Sequence, residues 1–267
     1  MLNTLANSVE GINIGRAERF ISSRGLRIAP YRLLNQADTE RALDQDLGDL
    51  DGLSGSYKAS YDVALVPRRD RLEATNGCEL TESILVHELA HGSNEHHDLV
   101  YIRDETTGEQ TILHGRSGHR VYDSHGEPRG RLIEEAFAER ERGKYVEQVL
   151  KLPRGFAHRV LSNEFFAEGG AVVDAKYSVR RTDGQPYVIG ESFVAQAFDL
   201  LCQVDPAMDR ALRRAHQTVE GLRDLARRLE RIQVGLYTHL RDIPYSREHY
   251  RQCLIDIQEL IRSFASP

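Results

Sequence analysis

Hydrophobic residues recur at helical spacing through most of the C-terminal third of the chain. The pattern predicts a helix over 191–203 and a second, long helix capped by Asp205, opened by Pro206 and ending near Ile232. A third helix is expected from the cap Ser246 to about residue 264. Leucine, alanine and valine form the buried face of these helices, and arginine, glutamate and aspartate form the solvated face.

Shorter hydrophobic segments in the first part of the chain predict a small sheet. Residues 16–24 resemble a short helix ended by Gly25. Residues 26–34 read as a strand, and Pro30 places it at a sheet edge because proline cannot donate a ladder hydrogen bond. The clearest strand is 61–67, which Pro67 ends.

The middle of the chain predicts a hairpin and a long helix. Segments 98–103 and 110–114 are expected to pair as antiparallel strands. A strong helical pattern covers 131–151, followed by a shorter helix at 157–168 and a strand at 171–180. The buried stripe of the long helix is predicted to consist of Leu132, Ala136, Phe137, Tyr145 and Val149.

Together these elements predict an α+β protein with a small mixed sheet and a helical C-terminal lobe. We expect one catalytic domain with two parts, a lobe at 1–92 that carries the strands and a mainly helical lobe at 93–267. An extended peptide is expected to pair with an edge strand such as 61–66 in the cleft between the lobes.

Composition excludes several classes of protein. With 267 residues, of which 40% are hydrophobic, the chain can bury a substantial core. A net charge of −6 argues against nucleic-acid binding. Three distant cysteines without a Cys-x-x-Cys pair argue against disulfides or a cysteine zinc site. Without a signal peptide or a long apolar run, we expect a cytoplasmic protein and no membrane partner, with signal-independent secretion left open.

The chemistry of the chain centres on His87-Glu88-Leu89-Ala90-His91, which lies in an apolar helical segment followed by Gly92. Residues i and i+4 share one face of a helix, so both imidazoles can bind one metal ion. Glu88 then lies beside a metal-bound water as a general base. Thr81 or Ser83 is the expected cap of this helix, and its apolar side comprises Ile84, Leu85 and Leu89.

A catalytic zinc ion needs a third protein ligand and one open position. In Leu132-Ile133-Glu134-Glu135-Ala136-Phe137-Ala138-Glu139 the chain resembles the gluzincin zinc metallopeptidases, over roughly residues 80–140. In that family a glutamate on a second helix completes the His-Glu-x-x-His site, and an acid follows one turn later. The resemblance implies a zincin-like fold, Glu135 as the third ligand of one Zn²⁺ ion, and Glu139 as the carboxylate that orients a ligand histidine.

Two other third ligands remain open. His97 would complete a pattern similar to the extended metzincin motif, with Asn94 where glycine is usual and without a methionine turn. Glu164 repeats the Glu-x-x-Ala-Glu spacing at the end of a shorter helix. For Glu134 and Glu135 themselves, the simpler explanation is that acidic residues in a first helical turn favour the helix dipole.

The expected function is zinc-dependent hydrolysis of peptide bonds in a peptide or protein substrate, as an endopeptidase rather than an exopeptidase. Glu88 would take a proton from the metal-bound water and pass it to the leaving amine. A further side chain often stabilises the oxyanion in the resembled family; the candidates here are Tyr122, Tyr187, Tyr237, His114 and His119. The alternatives are a non-catalytic zinc-binding interaction domain and a highly selective protease toxin or effector.

Overall fold

The computed structural model describes residues 11–35, 56–58, 62–68, 77–94, 98–103, 110–122, 128–153, 190–244 and 247–265. The helices are α1 (Ile14–Ser23), α2 (Gly77–His91), α3 (Arg131–Gln148), α4 (Gly190–Val204), α5 (Met208–Gln217), α6 (Val219–Ile232), α7 (Leu236–Asp242) and α8 (Arg247–Ala265). The strands are β1 (Tyr31–Leu34), β2 (Ser56–Lys58), β3 (Val63–Pro67), β4 (Asp98–Arg103), β5 (Gln110–Ser117), β6 (Arg120–Tyr122) and β7 (Pro128–Arg129). Helices with small sheets confirm the α+β class.

The chain divides into two compact units, and the division falls inside α3. The first unit comprises Met1–Ser93 and Arg140–Ala171, and the second comprises Asn94–Glu139 and Val172–Pro267. None of the helices in the described part of the chain is long and apolar enough to cross a membrane.

In the first unit a three-stranded sheet has the order β1-β3-β2, with β1 parallel and β2 antiparallel to β3. The strand expected over 26–34 is regular only from Tyr31, and among the described strands it lies at the edge of its sheet, as Pro30 predicted. The expected edge position of 61–66 is wrong, because β3 pairs on both sides and has no free edge for a peptide. Residue 61 lies outside the described residues.

Helix α2 packs against α1 and β3 in the core of this unit. Ile84, Leu85 and Leu89 are buried as predicted, and the burial extends to every residue from Leu80 to His91. Thr81 and Ser83 lie inside the helix, where their hydroxyls donate to the carbonyl groups of Gly77 and Leu80, so neither of them is the cap. Such back-bonding satisfies hydroxyl groups that have no water nearby.

In the second unit β4, β5, β6 and β7 form an antiparallel sheet in chain order, which confirms the predicted hairpin. Helix α4 packs on α8, and α5 packs on α6. The long helix expected from Pro206 to Ile232 is two helices. Thr218 is extended, with φ −133° and ψ 154°, and its side chain caps α6 by accepting from the amide of Gly221 at 3.0 Å. Helix α7 was not expected.

Helix α3 ends at Gln148, before the predicted residue 151. Four of the five residues of its predicted stripe are buried, while Val149 lies past the helix end and is half-buried. The charged residues of the helix between 134 and 142 are buried as well. The predicted helix at 157–168 and strand at 171–180 lie outside the described residues.

Candidate metal centre

His87 and His91 lie one turn apart on α2, with their imidazole groups directed toward each other. Their Nε2 atoms are 3.1 Å apart, and the ring planes are at 80°. Both residues are buried, with exposed fractions of 9% and 5%. Two nitrogen ligands of a tetrahedral zinc ion, each about 2.0–2.1 Å from the metal, are roughly 3.3 Å apart. The observed separation therefore fits two ligands of one ion.

The C-terminal end of α2 is held by close packing at Gly92. A Cβ atom at this position would lie 2.5 Å from the Ala29 Cβ and 2.8 Å from a ring carbon of Tyr57, so only glycine fits. The Gly92 carbonyl accepts a hydrogen bond from Arg27 at 2.8 Å, and Arg27 also pairs with Asp62. These contacts fix the turn that follows His91.

The start of the same helix is fixed by the fully buried carboxylate of Glu82. It accepts hydrogen bonds from the backbone amide of Asn13 at 2.8 Å, from Arg16 at 2.9 and 3.0 Å, and from the hydroxyl of Tyr145 at 2.5 Å. Burial, followed by the hydrogen bond to Glu82, raises the pKa of Tyr145. The Tyr145 hydroxyl therefore remains a neutral donor, and α2 is anchored at both ends.

Glu88 lies between the two histidines in sequence and is 4% exposed. Its backbone carbonyl accepts from the Gly92 amide at 3.1 Å, the last helical hydrogen bond of this segment. A carboxylate one residue after the first ligand histidine is the position that a general base occupies in a His-Glu-x-x-His site.

Glu135 is 5% exposed and lies in the second turn of α3. One of its carboxylate oxygens, Oε1, accepts a hydrogen bond from Arg120 at 3.1 Å. Its carboxylate and the imidazoles of His87 and His91 each offer one atom that could hold a metal ion. Two imidazoles and a carboxylate are a common donor set for catalytic zinc, so the residues fit the ion that the motif predicts. Glu139, one turn further along α3, is also 5% exposed.

The other candidates have different outcomes. His97, Glu164 and Tyr187 lie outside the described residues, as does the side chain of His114. Tyr122 is half-buried. Burial raises the pKa of Tyr237, whose ring lies 5.9 Å from the Arg241 guanidinium carbon.

Glu134 has partners that its sequence position did not predict. Its Oε2 atom lies 3.0 Å from Nδ1 of His119 and 3.2 Å from Nδ1 of His216. All three residues are buried, and they form a second His-Glu-His group among the described residues. No spacing pattern links positions 119, 134 and 216, so the sequence alone carries no signal for this group.

No protein-family model matches the chain, and no curated protein or solved structure matches it.

Proposed function

We propose that the chain is a zinc-dependent metallopeptidase of the gluzincin type, with a zincin-like fold and with His87, His91 and Glu135 as the metal ligands. The observation that carries the proposal is the 3.1 Å separation of the two Nε2 atoms on one buried helix. Two buried imidazole nitrogens this close together are not stabilised unless they share an ion or a proton. Glu88 favours catalysis over a structural ion, because a structural site needs no adjacent base.

A zinc ion held by these residues would supply a water with a pKa near 7 and a Lewis acid for the substrate carbonyl. The chain's own residues then move protons and hold the ligands in place. Glu88 would accept a proton at its carboxylate and return it to the leaving amine. Arg120 donates to one oxygen of Glu135 and helps to orient that carboxylate. The contacts of Glu82 and Gly92 keep α2, which carries both histidines, in position.

The substrate is proposed to be a peptide or protein. Because β3 is a central strand, an extended substrate in the first unit would pair with an edge strand, β1 or β2, of the described sheet. Such pairing uses backbone hydrogen bonds and leaves side-chain selectivity to the surrounding pockets.

The test is hydrolysis of a proteome-derived peptide library, read by mass spectrometry so that a selective enzyme is also detected. The native chain loaded with zinc is expected to cleave a defined set of bonds, and a chelator should abolish cleavage. Glu88→Gln is expected to keep its zinc and to lose about 10²–10⁴-fold in rate, the usual contribution of a general base. Glu79→Gln, on the half-exposed start of the same helix, is the matched control and should cleave normally.

Unchanged cleavage by Glu88→Gln would reject the mechanism. A native chain that binds zinc and cleaves nothing in the library would instead favour a non-catalytic zinc domain.

A further inference from the structure

The second unit contains a His-Glu-His group that the proposed peptidase mechanism does not use. His119 lies in the turn between β5 and β6, Glu134 lies in the first turn of α3, and His216 lies near the end of α5. Their side chains are 0%, 2% and 0% exposed. From these residues we infer a second metal site, in which Nδ1 of His119, Nδ1 of His216 and Oε2 of Glu134 bind one divalent transition-metal ion, with Zn²⁺ as the best match to the donor set.

The tautomer of His119 favours a cation at this group. Its Nε2 atom lies 3.0 Å from the carbonyl oxygen of Leu212, which can only accept, so Nε2 carries the proton. In the neutral ring the lone pair of Nδ1 then points at a carboxylate oxygen 3.0 Å away. Two electron-rich atoms at that distance repel each other unless a cation lies between them. A ligand histidine that donates its other N–H to a backbone carbonyl is the usual arrangement in metal sites.

A hydrogen-bonded group without metal would need an additional proton. His119 would have to be an imidazolium ion to donate both to Leu212 and to Glu134. Complete burial of the His119 side chain disfavours that ion. A metal ion at Nδ1 leaves both imidazoles neutral.

The distances between the three donor atoms also match a metal site. Oε2 lies 3.0 Å from one Nδ1 and 3.2 Å from the other, and all three donor atoms lie within 4.8 Å of one another. Ligands of a tetrahedral zinc ion are roughly 3.3 Å apart. The group therefore needs only a small expansion to hold an ion. Two imidazoles and one carboxylate are the borderline donors that zinc accepts.

The surrounding backbone is built closely around this group. A Cβ atom on Gly118 would lie 2.5 Å from Nδ1 of His216 and 2.6 Å from Oε2 of Glu134, and one on Gly130 would lie 2.3 Å from the His119 carbonyl oxygen. Arg116 ties the turn to the end of α5 by donating to the carbonyl groups of Gly118 and Ala215. These contacts hold the three ligands in place from three separate elements.

The phenyl ring of Phe137 closes one side of the group. It stacks on His216 with a centroid distance of 4.4 Å and lies 5.5 Å from the His119 ring. An apolar wall of this kind excludes water and strengthens the attraction between an ion and its ligands. The complete burial of the ligands indicates a structural ion rather than a site where substrate binds.

The experiment measures the number of zinc ions per chain by elemental mass spectrometry, after the protein has been loaded with zinc and weakly bound zinc has been removed. It is made in the double variant His87→Ala/His91→Ala, so that its result does not depend on the proposed peptidase site. We expect one ion per chain in this background and none after the further substitution His119→Gln or Glu134→Gln. His239→Gln, whose imidazole is 54% exposed in the same unit, is the control and should keep the ion.

A double variant that is folded by circular dichroism and holds no zinc would overturn the inference. An ion that remains after His119→Gln would overturn it as well. If His119→Gln does not fold, His216→Gln takes its place, because the loss of either Nδ1 ligand is expected to release the ion. A double variant without zinc leaves the peptidase proposal untouched, whereas a native chain with only the second ion would reject the peptidase site and support this one.

Discussion

Removal of the Tyr145 hydroxyl group should measure how much its hydrogen bond to Glu82 on α2 contributes to the free energy of unfolding. Tyr145 is fully buried, packs edge-on against Phe20 at 5.3 Å, and donates its hydroxyl to the carboxylate of Glu82. Tyr145→Phe keeps the ring and its packing and removes only the hydrogen bond. The substitution therefore isolates the interaction that fixes Glu82, which precedes His87 on α2.

The expected loss follows from what remains around the carboxylate. A hydrogen bond to a charged group contributes about 1.5–3 kcal/mol to the free energy of unfolding. In Tyr145→Phe the charge of Glu82 still has the Asn13 amide and the two Arg16 donors, so we expect a loss in the lower half of this range, about 1.5–2 kcal/mol. Glu82→Gln removes the charge itself and should cost about 3 kcal/mol, the low end for breaking a buried ion pair. The low end applies because Arg16 is 32% exposed and can turn toward water.

The assay is urea denaturation at pH 7 with the slope of the transition compared between variants. Tyr31→Phe is the matched control, because its hydroxyl donates to the half-buried Glu18 at 2.9 Å. That hydrogen bond is partly replaced by water, so its loss should cost less than about 1 kcal/mol. Equal losses for Tyr145→Phe and Tyr31→Phe, with unchanged slopes, would refute the role assigned to the Glu82 anchor.

Three further predictions concern other parts of the chain. Gly25→Ala and Gly118→Ala both place an alanine at positive φ, +70° and +60°, but only position 118 lacks space for the added Cβ. In thermal unfolding, Gly25→Ala should lower the free energy of unfolding by roughly 1–2 kcal/mol, and Gly118→Ala should lower it clearly more. Equal losses would contradict the close packing of Gly118 against His216 and Glu134. Thr218→Ala should lose about 1 kcal/mol through its missing cap and Thr218→Ser should not, as measured by urea denaturation; no loss in Thr218→Ala would contradict the cap. Cys253 is 1% exposed, and burial raises the pKa of its thiol to about 12. Mass spectrometry should therefore show Cys202 alkylated before Cys253 at pH 8, and early modification of Cys253 would refute its burial. Because the folded state favours the protonated thiol, the stability that Cys253 contributes is lost as the pH rises from about 9 through 12.

The parts of the fold that rest on local chemistry could be predicted from the sequence. Two histidines four residues apart in an apolar helical segment already place both rings on one side of a helix, and the structure has their Nε2 atoms 3.1 Å apart. Pro30 and Pro67 limit their strands because proline lacks an amide donor. The 98–103 hairpin also follows from alternation and turn residues that lie close together in sequence.

The parts that depend on distant partners could not be predicted. The single helix expected after Pro206 is divided by Thr218, whose side chain gains more from capping the next helix than from continuing the previous one. Helix α3 reads as amphipathic, yet it buries Glu141 because Arg24, 117 positions away, pairs with it at 2.8 Å. No local pattern carries that information.

The same reason explains why the second His-Glu-His group was missed. Glu134 in a first helical turn has an adequate local explanation in the helix dipole. Its actual partners come from a strand turn and from α5, at sequence distances of 15 and 82 residues. Only the tertiary structure brings these three side chains together.

The central claim is tested most directly by crystals of the zinc-loaded chain measured with X-rays at the zinc absorption edge. We expect an anomalous peak about 2.0–2.2 Å from Nε2 of His87, from Nε2 of His91 and from a carboxylate oxygen of Glu135. A zinc-loaded crystal without a peak at this position, or with a peak bound by other side chains, would contradict it.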